Sequence, residues 1–174
     1  MIKAYPEDCL LKQSSEIDID EYNLRTLRKE LSDVQEGSFN AVAVAAPQVG
    51  ENVRAFFYSW EGVEKLVVNP VITAWSKDYI PAIEGCLSLK GWYFKVYRPK
   101  QIVVRYTDFY GKDHKEMVRD PFVARIFLHE IDHLNGTLIP FYMNDLEFER
   151  WESYYEQDKS PAEFKTGIIT ASMV

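Results

Sequence analysis

The stretch FLHEIDHLNG, Phe127–Gly136, places two of the three histidines in the chain four residues apart. An α-helix brings residues four apart onto one face, so His129 and His133 can present two imidazoles to one ion. Glu130 follows the first histidine and can act as a base toward water in the same cleft. The neighbouring residues are apolar, and burying this polar cluster among them is costly without a metal. The stretch therefore predicts a metal-binding helix.

Two histidines leave a catalytic metal one protein ligand short, because an open site normally has three. The metzincin pattern would place a third histidine where this chain has Ile139, which excludes that class of protease. A zincin-type metallopeptidase takes a glutamate from a downstream helix instead, and several follow (Glu147, Glu149, Glu152 and Glu156). Upstream, the loop sequence AIEGCLSLKG offers Cys86. Spacing alone leaves both ligand sets open.

Length and composition predict a single packed domain over residues 1–174, with a weakly specified tail after about residue 158. No apolar segment is long enough for a membrane span, and the net charge of −7 argues against a nucleic-acid binder. The N-terminus has no targeting pattern, and the two cysteines cannot build a disulfide framework. These features predict a cytoplasmic protein that acts on a small molecule or a peptide.

The order of patterns along the chain predicts a mixed fold. A first helix is expected from about Asp20, its N-cap, to Gly37. Short runs rich in Val, Tyr and Phe follow from Ala41 onward and predict mainly antiparallel sheets (AVAVAA, VRAFFYS, KLVVN, WYFKVY and QIVVRYTD). The last of these runs begins a hairpin that turns near residues 110–112.

The helix that carries the histidines has recognisable ends. Asp120 and Pro121 supply an N-cap and a proline at the first helical position, and Gly136 ends the helix. A final amphipathic stretch, DLEFERWESYYEQ, predicts one more helix. The fold class expected from these elements is α+β.

Three motifs in order resemble the signature motifs of the peptide deformylases. They are VAVAAPQVG (Val42–Gly50), EGCLS (Glu84–Ser88) and HEIDH (His129–His133). The resemblance implies a compact form of that fold, in which mainly antiparallel β-sheets pack around a central metal-binding helix. It also implies removal of the N-formyl group from the formylmethionine of nascent chains, with release of formate.

The resemblance also assigns roles to residues. Cys86, His129 and His133 are expected to hold one divalent ion, and Glu130 to move the proton. The side-chain amide of Gln48 and the backbone N–H of Leu87 are expected to bind the developing oxyanion. The family commonly uses Fe(II), and one thiolate with two imidazoles also suits Zn, Ni or Co.

The substrate expected from the resemblance is a formylmethionyl peptide or nascent chain, lying extended like an added strand. The methionine side chain is expected to enter an apolar pocket. The expected substrate-binding residues are Val42, Ala43, Val44, Glu84, Phe122, Arg125 and Ile126. A monomer without nucleic-acid or membrane partners is expected, with ribosome association as an open option.

Some residues depart from the family pattern. Ala41 and Ala43 stand where the family has glycine, and a positive φ at either position would cost about 1 kcal/mol. An inactive metal-binding homologue is therefore a further alternative. Arg125 stands where the family tends to be apolar, and we expect it at the pocket mouth. Asp132 is either paired with Arg98 behind a ligand histidine or exposed to solvent.

Overall fold

A computed structural model of the chain describes residues 1–157 and 169–171. The described part contains three α-helices and two sheets. The helices are α1 (Leu24–Glu36), α2 (Pro121–Leu134) and α3 (Asp145–Glu156). The strands are β1 (Ala43–Ala45), β2 (Ala55–Trp60), β3 (Val63–Trp75), β4 (Tyr79–Gly85), β5 (Tyr93–Pro99), β6 (Ile102–Asp108), β7 (Asp113–Val118) and β8 (Ile169–Thr170). The predicted α+β class is confirmed.

The larger sheet has the strand order β1-β2-β3-β6-β7, and every neighbouring pair is antiparallel. One face packs on α2, where the Phe127 ring meets Phe56 edge-to-face at 5.1 Å between centroids. The other face packs on α1, whose Leu27 and Leu31 belong to the same buried cluster as Phe57. The apolar side chains of β2 thus alternate between two cores, so that this sheet is covered on both faces there.

The smaller sheet has the order β4-β5-β8, with β4 and β5 antiparallel and β8 parallel to β5. Phe94 of β5 packs against Trp92 and against Trp151 of α3, which is fully buried. Helix α2 contacts both sheets, since it packs on β1 and on β5. The fold therefore confirms the central position expected for the helix that carries the histidines.

The predicted start of the first helix was wrong by several residues. The N-cap of α1 is Asn23, whose side chain accepts a hydrogen bond from the Thr26 N–H at 3.1 Å. The Asp20 N–H instead donates to the Asp18 carboxylate, in a turn that precedes the helix. Asp and Asn are both favourable N-cap residues, so the sequence alone did not show which of them begins the helix.

Strand β4 was missed because it carries Pro81 and ends at Gly85. Proline cannot donate to a sheet, so it is confined to positions such as edge strands, and β4 is an edge strand of the smaller sheet. The hairpin near residues 110–112 is confirmed, because the Asp108 carboxylate accepts from the N–H groups of Tyr110 and Lys112.

Most of the tail after about residue 158 lies outside the described residues, and the single-domain assignment of 1–174 stays a prediction. Residues 169–171 are described and add β8 to the smaller sheet, with Ala171 buried. No helix in the described part of the chain is long and apolar enough to cross a lipid bilayer.

Candidate metal centre

The side chains of Cys86, His129 and His133 meet between the two sheets. Their ligand atoms all lie within 4.8 Å of one another, and the Cys86 Sγ is 3.2 Å from the His133 Nε2. Cys86 directly follows β4, whereas both histidines project from α2. Over the described residues this is the group of three donors that could hold an ion, and the glutamates of α3 do not belong to it. The zincin-type ligand set is therefore not formed.

Local signals at both ends fix α2. The Asp120 carboxylate accepts hydrogen bonds from the N–H groups of Phe122 and Val123 at 2.7 and 3.1 Å. At the other end Gly136 has a φ of 69°, and a Cβ there would lie 2.9 Å from the Leu11 carbonyl. Glycine is needed at this position for its backbone conformation and for the close approach of the N-terminal segment.

The His129 imidazole is oriented by a buried carboxylate. Its Nδ1 lies 3.0 Å from the Glu84 Oε2, which leaves Nε2 for an ion. Glu84 also accepts from Nε and Nη2 of Arg98, at 2.7 and 2.9 Å. Burial raises the pKa of Glu84, but the charge of Arg98 and the hydrogen bond of His129 hold it well below its usual range. Glu84 is therefore an ionised carboxylate that positions the histidine.

The same arginine reaches the helix that carries the histidines. Arg98 is 1% exposed, and its Nη1 donates to the Asp132 Oδ2 at 2.8 Å. The Tyr142 hydroxyl donates to the other oxygen of Asp132 at 2.7 Å. The paired alternative for Asp132 is confirmed. Tyr142 was not predicted, because it follows α2 in a turn whose sequence gives no sign of this contact.

The donor set fits a metal ion. Burial raises the pKa of the Cys86 thiol, but the nearby His133 and His129 outweigh this effect and lower it well below its usual range. The thiolate is the form that binds metals, and neutral imidazoles with one thiolate suit transition ions such as zinc or iron. The His133 Nδ1 is buried and has no hydrogen-bond partner among the described residues.

The Gln48 amide faces the same site. Its Oε1 accepts from the Ala45 N–H at 2.9 Å, which turns Nε2 toward the Cys86 Sγ at 3.6 Å and the Ser88 Oγ at 3.2 Å. Ser88 is fully buried and was not singled out from the sequence, although it belongs to the second motif. Leu87 begins the short 3-10 turn after Cys86, so its N–H has no acceptor within that turn.

Glu130 is a buried carboxylate without a full set of partners. It is 4% exposed, and within the described structure its Oε2 accepts no hydrogen bond. Burial raises the pKa of Glu130, although the two nearby histidines lower it in part. A carboxylate in such surroundings is a candidate for proton transfer, since buried polar groups are otherwise nearly always paired.

A cavity of about 690 Å³ opens in front of this site. Cys86, Gln48, Leu87 and Glu130 line it. The predicted substrate-binding residues Val42, Ala43, Phe122 and Ile126 also lie in its wall. Neither Ala41 nor Ala43 has a positive φ, so replacing the family glycines does not strain the backbone.

Three of the expected substrate-binding residues, Val44, Glu84 and Arg125, are buried, and their part in binding a substrate stays a prediction. Val44 is fully buried and packs toward α1, because side chains alternate along β1. Glu84 reaches the cavity wall, but its carboxylate is occupied by Arg98, Arg125 and His129.

Arg125 does not lie at the pocket mouth. It is 7% exposed, and its guanidinium donates to Glu84 and to the carbonyls of Val96 and Ile80, the last two at 3.0 and 2.7 Å. Arg125 belongs to the cavity wall, and its guanidinium is held by these three partners. An arginine at this position thus ties α2 to β4 and β5.

The arrangement of a thiolate and two imidazoles beside a buried carboxylate, in a cleft between a sheet and a helix, defines a metal-dependent hydrolase. The particular family follows from comparison with known proteins. The family model for polypeptide deformylase matches residues 1–149, and the chain belongs to the peptide deformylase family.

Relatives and solved structures agree with this assignment. The peptide deformylase of Fusobacterium nucleatum is 38% identical over 140 residues, which cover 79% of this chain and 79% of that protein. A Plasmodium falciparum peptide deformylase structure superposes with a TM-score of 0.80 at 30% identity, over 90% of this chain and 94% of that one. The structure of a probable peptide deformylase from Synechococcus phage S-SSM7 superposes with a TM-score of 0.75 at 34% identity, over 82% of this chain and 99% of that one.

Proposed function

We propose that this chain is an active peptide deformylase that removes the formyl group from the N-terminal formylmethionine of nascent polypeptides and releases formate. One observation carries the proposal. Cys86 and His129 of the three-donor cluster, together with Gln48 and Glu130, line one cavity, and the Glu130 Oε2 accepts no hydrogen bond from the described residues.

The residues present would hold one divalent ion through the Cys86 thiolate and the two imidazoles. Such an ion, when bound, lowers the pKa of water and polarises the formyl oxygen. We propose Fe(II) as the ion in the cell, and Zn, Ni or Co fit the same donors. Glu84 and the Arg98 behind it keep the His129 Nε2 directed at the ion position.

Glu130 moves the proton. It accepts a proton from water as the water oxygen adds to the formyl carbon, and it then gives that proton to the amine nitrogen as the carbon–nitrogen bond breaks. The products are formate and a free methionine amine. A carboxylate whose pKa is raised by burial suits both steps, because it must accept and then donate the proton near neutral pH.

The formyl oxygen gains negative charge during the addition. The Gln48 Nε2 and the Leu87 N–H are the donors that we propose for it. The Gln48 amide is held by the Ala45 N–H, so its orientation is set before the substrate arrives. A neutral amide also keeps its donor at any working pH.

The peptide is proposed to lie extended between two edge strands of the described sheets. β1 is the edge strand of the larger sheet, and β4 is an edge strand of the smaller one. Unpaired backbone groups at such edges can accept an added strand. The methionine side chain then enters the pocket that Val42, Phe122 and Ile126 line, next to the histidines.

Further points rest on the family resemblance. We propose a monomer that acts in the cytoplasm on nascent chains, with ribosome association left open. Analytical ultracentrifugation tests the oligomeric state, and cosedimentation with ribosomes tests the association.

The activity test is formate release from formyl-Met-Ala-Ser by protein loaded anaerobically with Fe(II) or Ni(II). Robust release is expected. Folded, metal-loaded protein that releases no formate would support the inactive homologue instead. Cys86→Ala should lose the metal, as measured by elemental analysis, whereas a zincin-type site would keep it.

A further inference from the structure

Residues 2–5 contact two of the three motifs that form the site, and we call them the N-terminal strap. The Lys3 N–H donates to the Gln48 carbonyl at 2.8 Å. The Tyr5 N–H donates to the Ser88 carbonyl at 3.1 Å. The strap therefore joins the backbone of the first motif to the backbone of the second.

Both contacts lie next to the groups proposed to bind the oxyanion. Gln48 supplies its Nε2, and Ser88 directly follows Leu87, which supplies its N–H. The Ala45 N–H holds the Gln48 side chain, and the Lys3 N–H holds the Gln48 carbonyl. The strap thus fixes the backbone from which each of the two donors projects.

The strap is itself anchored through Tyr5. The Tyr5 ring packs against the rings of Trp151, Tyr155 and Phe141, with centroids 5.3, 5.6 and 6.2 Å away. Its hydroxyl donates to the Glu152 carboxylate. These contacts fix the strap to α3 and to the turn before it, so its N–H groups have a defined position.

The two oxyanion donors belong to different sheets. Gln48 follows β1, an edge strand of the larger sheet, and Leu87 follows β4, an edge strand of the smaller one. Their separation is therefore set by contacts other than the hydrogen bonds within a sheet. Donors to an oxyanion act through preorganised geometry, and a misplacement of about 1 Å can cost on the order of 10²-fold in rate.

We propose that the N-terminal strap is a positioning element for deformylation. The N–H groups of Lys3 and Tyr5 keep the Gln48 amide and the Leu87 N–H at the separation that the oxyanion requires. This inference rests on the proposed function and concerns the same site. Lys3 and Tyr5 act through the residues that they bind and make no contact with the reacting atoms.

The test removes one N–H at a time and leaves every side chain in place. Because residue 9 is a free cysteine, synthetic residues 1–8 can be ligated to residues 9–174, with an ester in place of one amide. An ester at Lys3, in protein loaded with Ni(II), should lower kcat for formyl-Met-Ala-Ser by about tenfold with little change in KM. An ester at Tyr5 is the second variant and should act in the same direction.

An ester at Glu7 is the matched control. It removes an N–H that donates to the Ala4 carbonyl at 2.9 Å, so the same segment loses one hydrogen bond that does not reach a motif. This protein should keep the kcat of the ligated protein that carries no ester. Unfolding temperatures measure how far each ester destabilises the fold.

A double-mutant cycle separates positioning from general damage to the structure. In Gln48→Ala the amide donor is already lost, so the Lys3 ester should then change kcat by less than about twofold. A second measurement does not depend on activity. With Zn(II) bound and ¹⁵N only in residues 9–174, the side-chain amide signals of Gln48 should shift in the Lys3 ester and stay in place in the Glu7 ester.

Three results would overturn the inference. The first is a kcat that neither strap ester changes, and the second is an equal loss in the Glu7 control. The third is the same loss from the Lys3 ester with and without the Gln48 side chain. If the ligated protein without an ester releases no formate, the proposed function fails instead, and the Gln48 amide signals still test the strap.

Discussion

The polar groups on the two sides of helix α2 differ in how completely they are hydrogen-bonded. On the side behind His129, Glu84 and Asp132 are paired with Arg98 and Tyr142, through hydrogen bonds of 2.7 to 2.9 Å. On the cavity side, the Oε2 of Glu130 accepts no hydrogen bond within the described structure. Paired groups hold a geometry, and unpaired groups keep their capacity for a substrate. Residues behind His129 are therefore expected to position the ligands, whereas Glu130 on the cavity side is expected to take part in the chemistry.

The charges behind His129 also balance. Two carboxylates, Glu84 and Asp132, share that region with two guanidiniums, Arg98 and Arg125. A balanced and hydrogen-bonded cluster can stay buried without an ion, whereas an unpaired buried charge is costly. The region behind the ligands is therefore expected to keep its structure when the metal is removed.

Glu130→Gln, on the cavity side of α2, should cause the largest loss of activity. The amide cannot accept a proton, so kcat should fall by about 10²–10⁴-fold while the metal content stays unchanged. The formate assay and elemental analysis measure the two quantities. Glu149→Gln on the exposed side of α3 is the matched control and should keep full activity. An active Glu130→Gln enzyme would assign the proton transfer to another group.

Gln48→Ala should have the next largest effect. Loss of one preorganised donor to the oxyanion costs about 10²–10³-fold in kcat. The measurement is kcat and KM with a formyl-Met tripeptide, and the loss should appear mainly in kcat. Gln13→Ala, at an exposed position, serves as the control. If KM rises instead while kcat stays the same, Gln48 binds the substrate and does not stabilise the transition state.

Glu84→Gln tests the side behind His129. The neutral amide orients the His129 Nδ1–H less firmly, and partners of this kind are worth about 10–100-fold in metal affinity or activity. The rate of metal loss to a chelator should therefore increase, with formate release falling in parallel. Unchanged metal retention would mean that the Glu84 charge has no part in holding the histidine.

Arg125→Met should have the smallest effect on catalysis. Arg98 still binds both oxygens of Glu84, so the deformylation rate should change by less than about tenfold. The free energy of unfolding should fall by about 3 kcal/mol, because a buried ion pair and two carbonyl partners are lost. Urea unfolding measures this difference. A larger loss of activity than of stability would place Arg125 among the residues that orient His129.

The sequence was most informative where the signals are local. The ends of α2 depend on Asp120, Pro121 and Gly136, all within a few residues of the turns they form, and each was predicted. The pair of histidines is likewise a property of one helix. Cys86 is different, since it meets His133 across 47 positions, and only the resemblance to a family identified it before the structure.

The expected position of Arg125 was wrong because its contact spans distant segments. Arg125 lies one turn before His129, so its position on the helix pointed to the pocket, but its partner Glu84 is 41 positions away. Val44 was expected, together with Val42, to pair with the peptide through its backbone, and that pairing stays a prediction. The strand begins at Ala43, so Val42 precedes it and does not follow the alternation that turns Val44 toward α1.

The separation along the chain between the ligands has a consequence for folding kinetics. The two histidines can come together as soon as one helix forms, whereas the thiolate joins them only after β4 has reached α2 across 47 positions. Contacts between distant segments form late because closing long loops costs entropy. During synthesis on the ribosome, the enzyme therefore completes its own ligand set only after residue 133 has emerged, near the end of the matched family region.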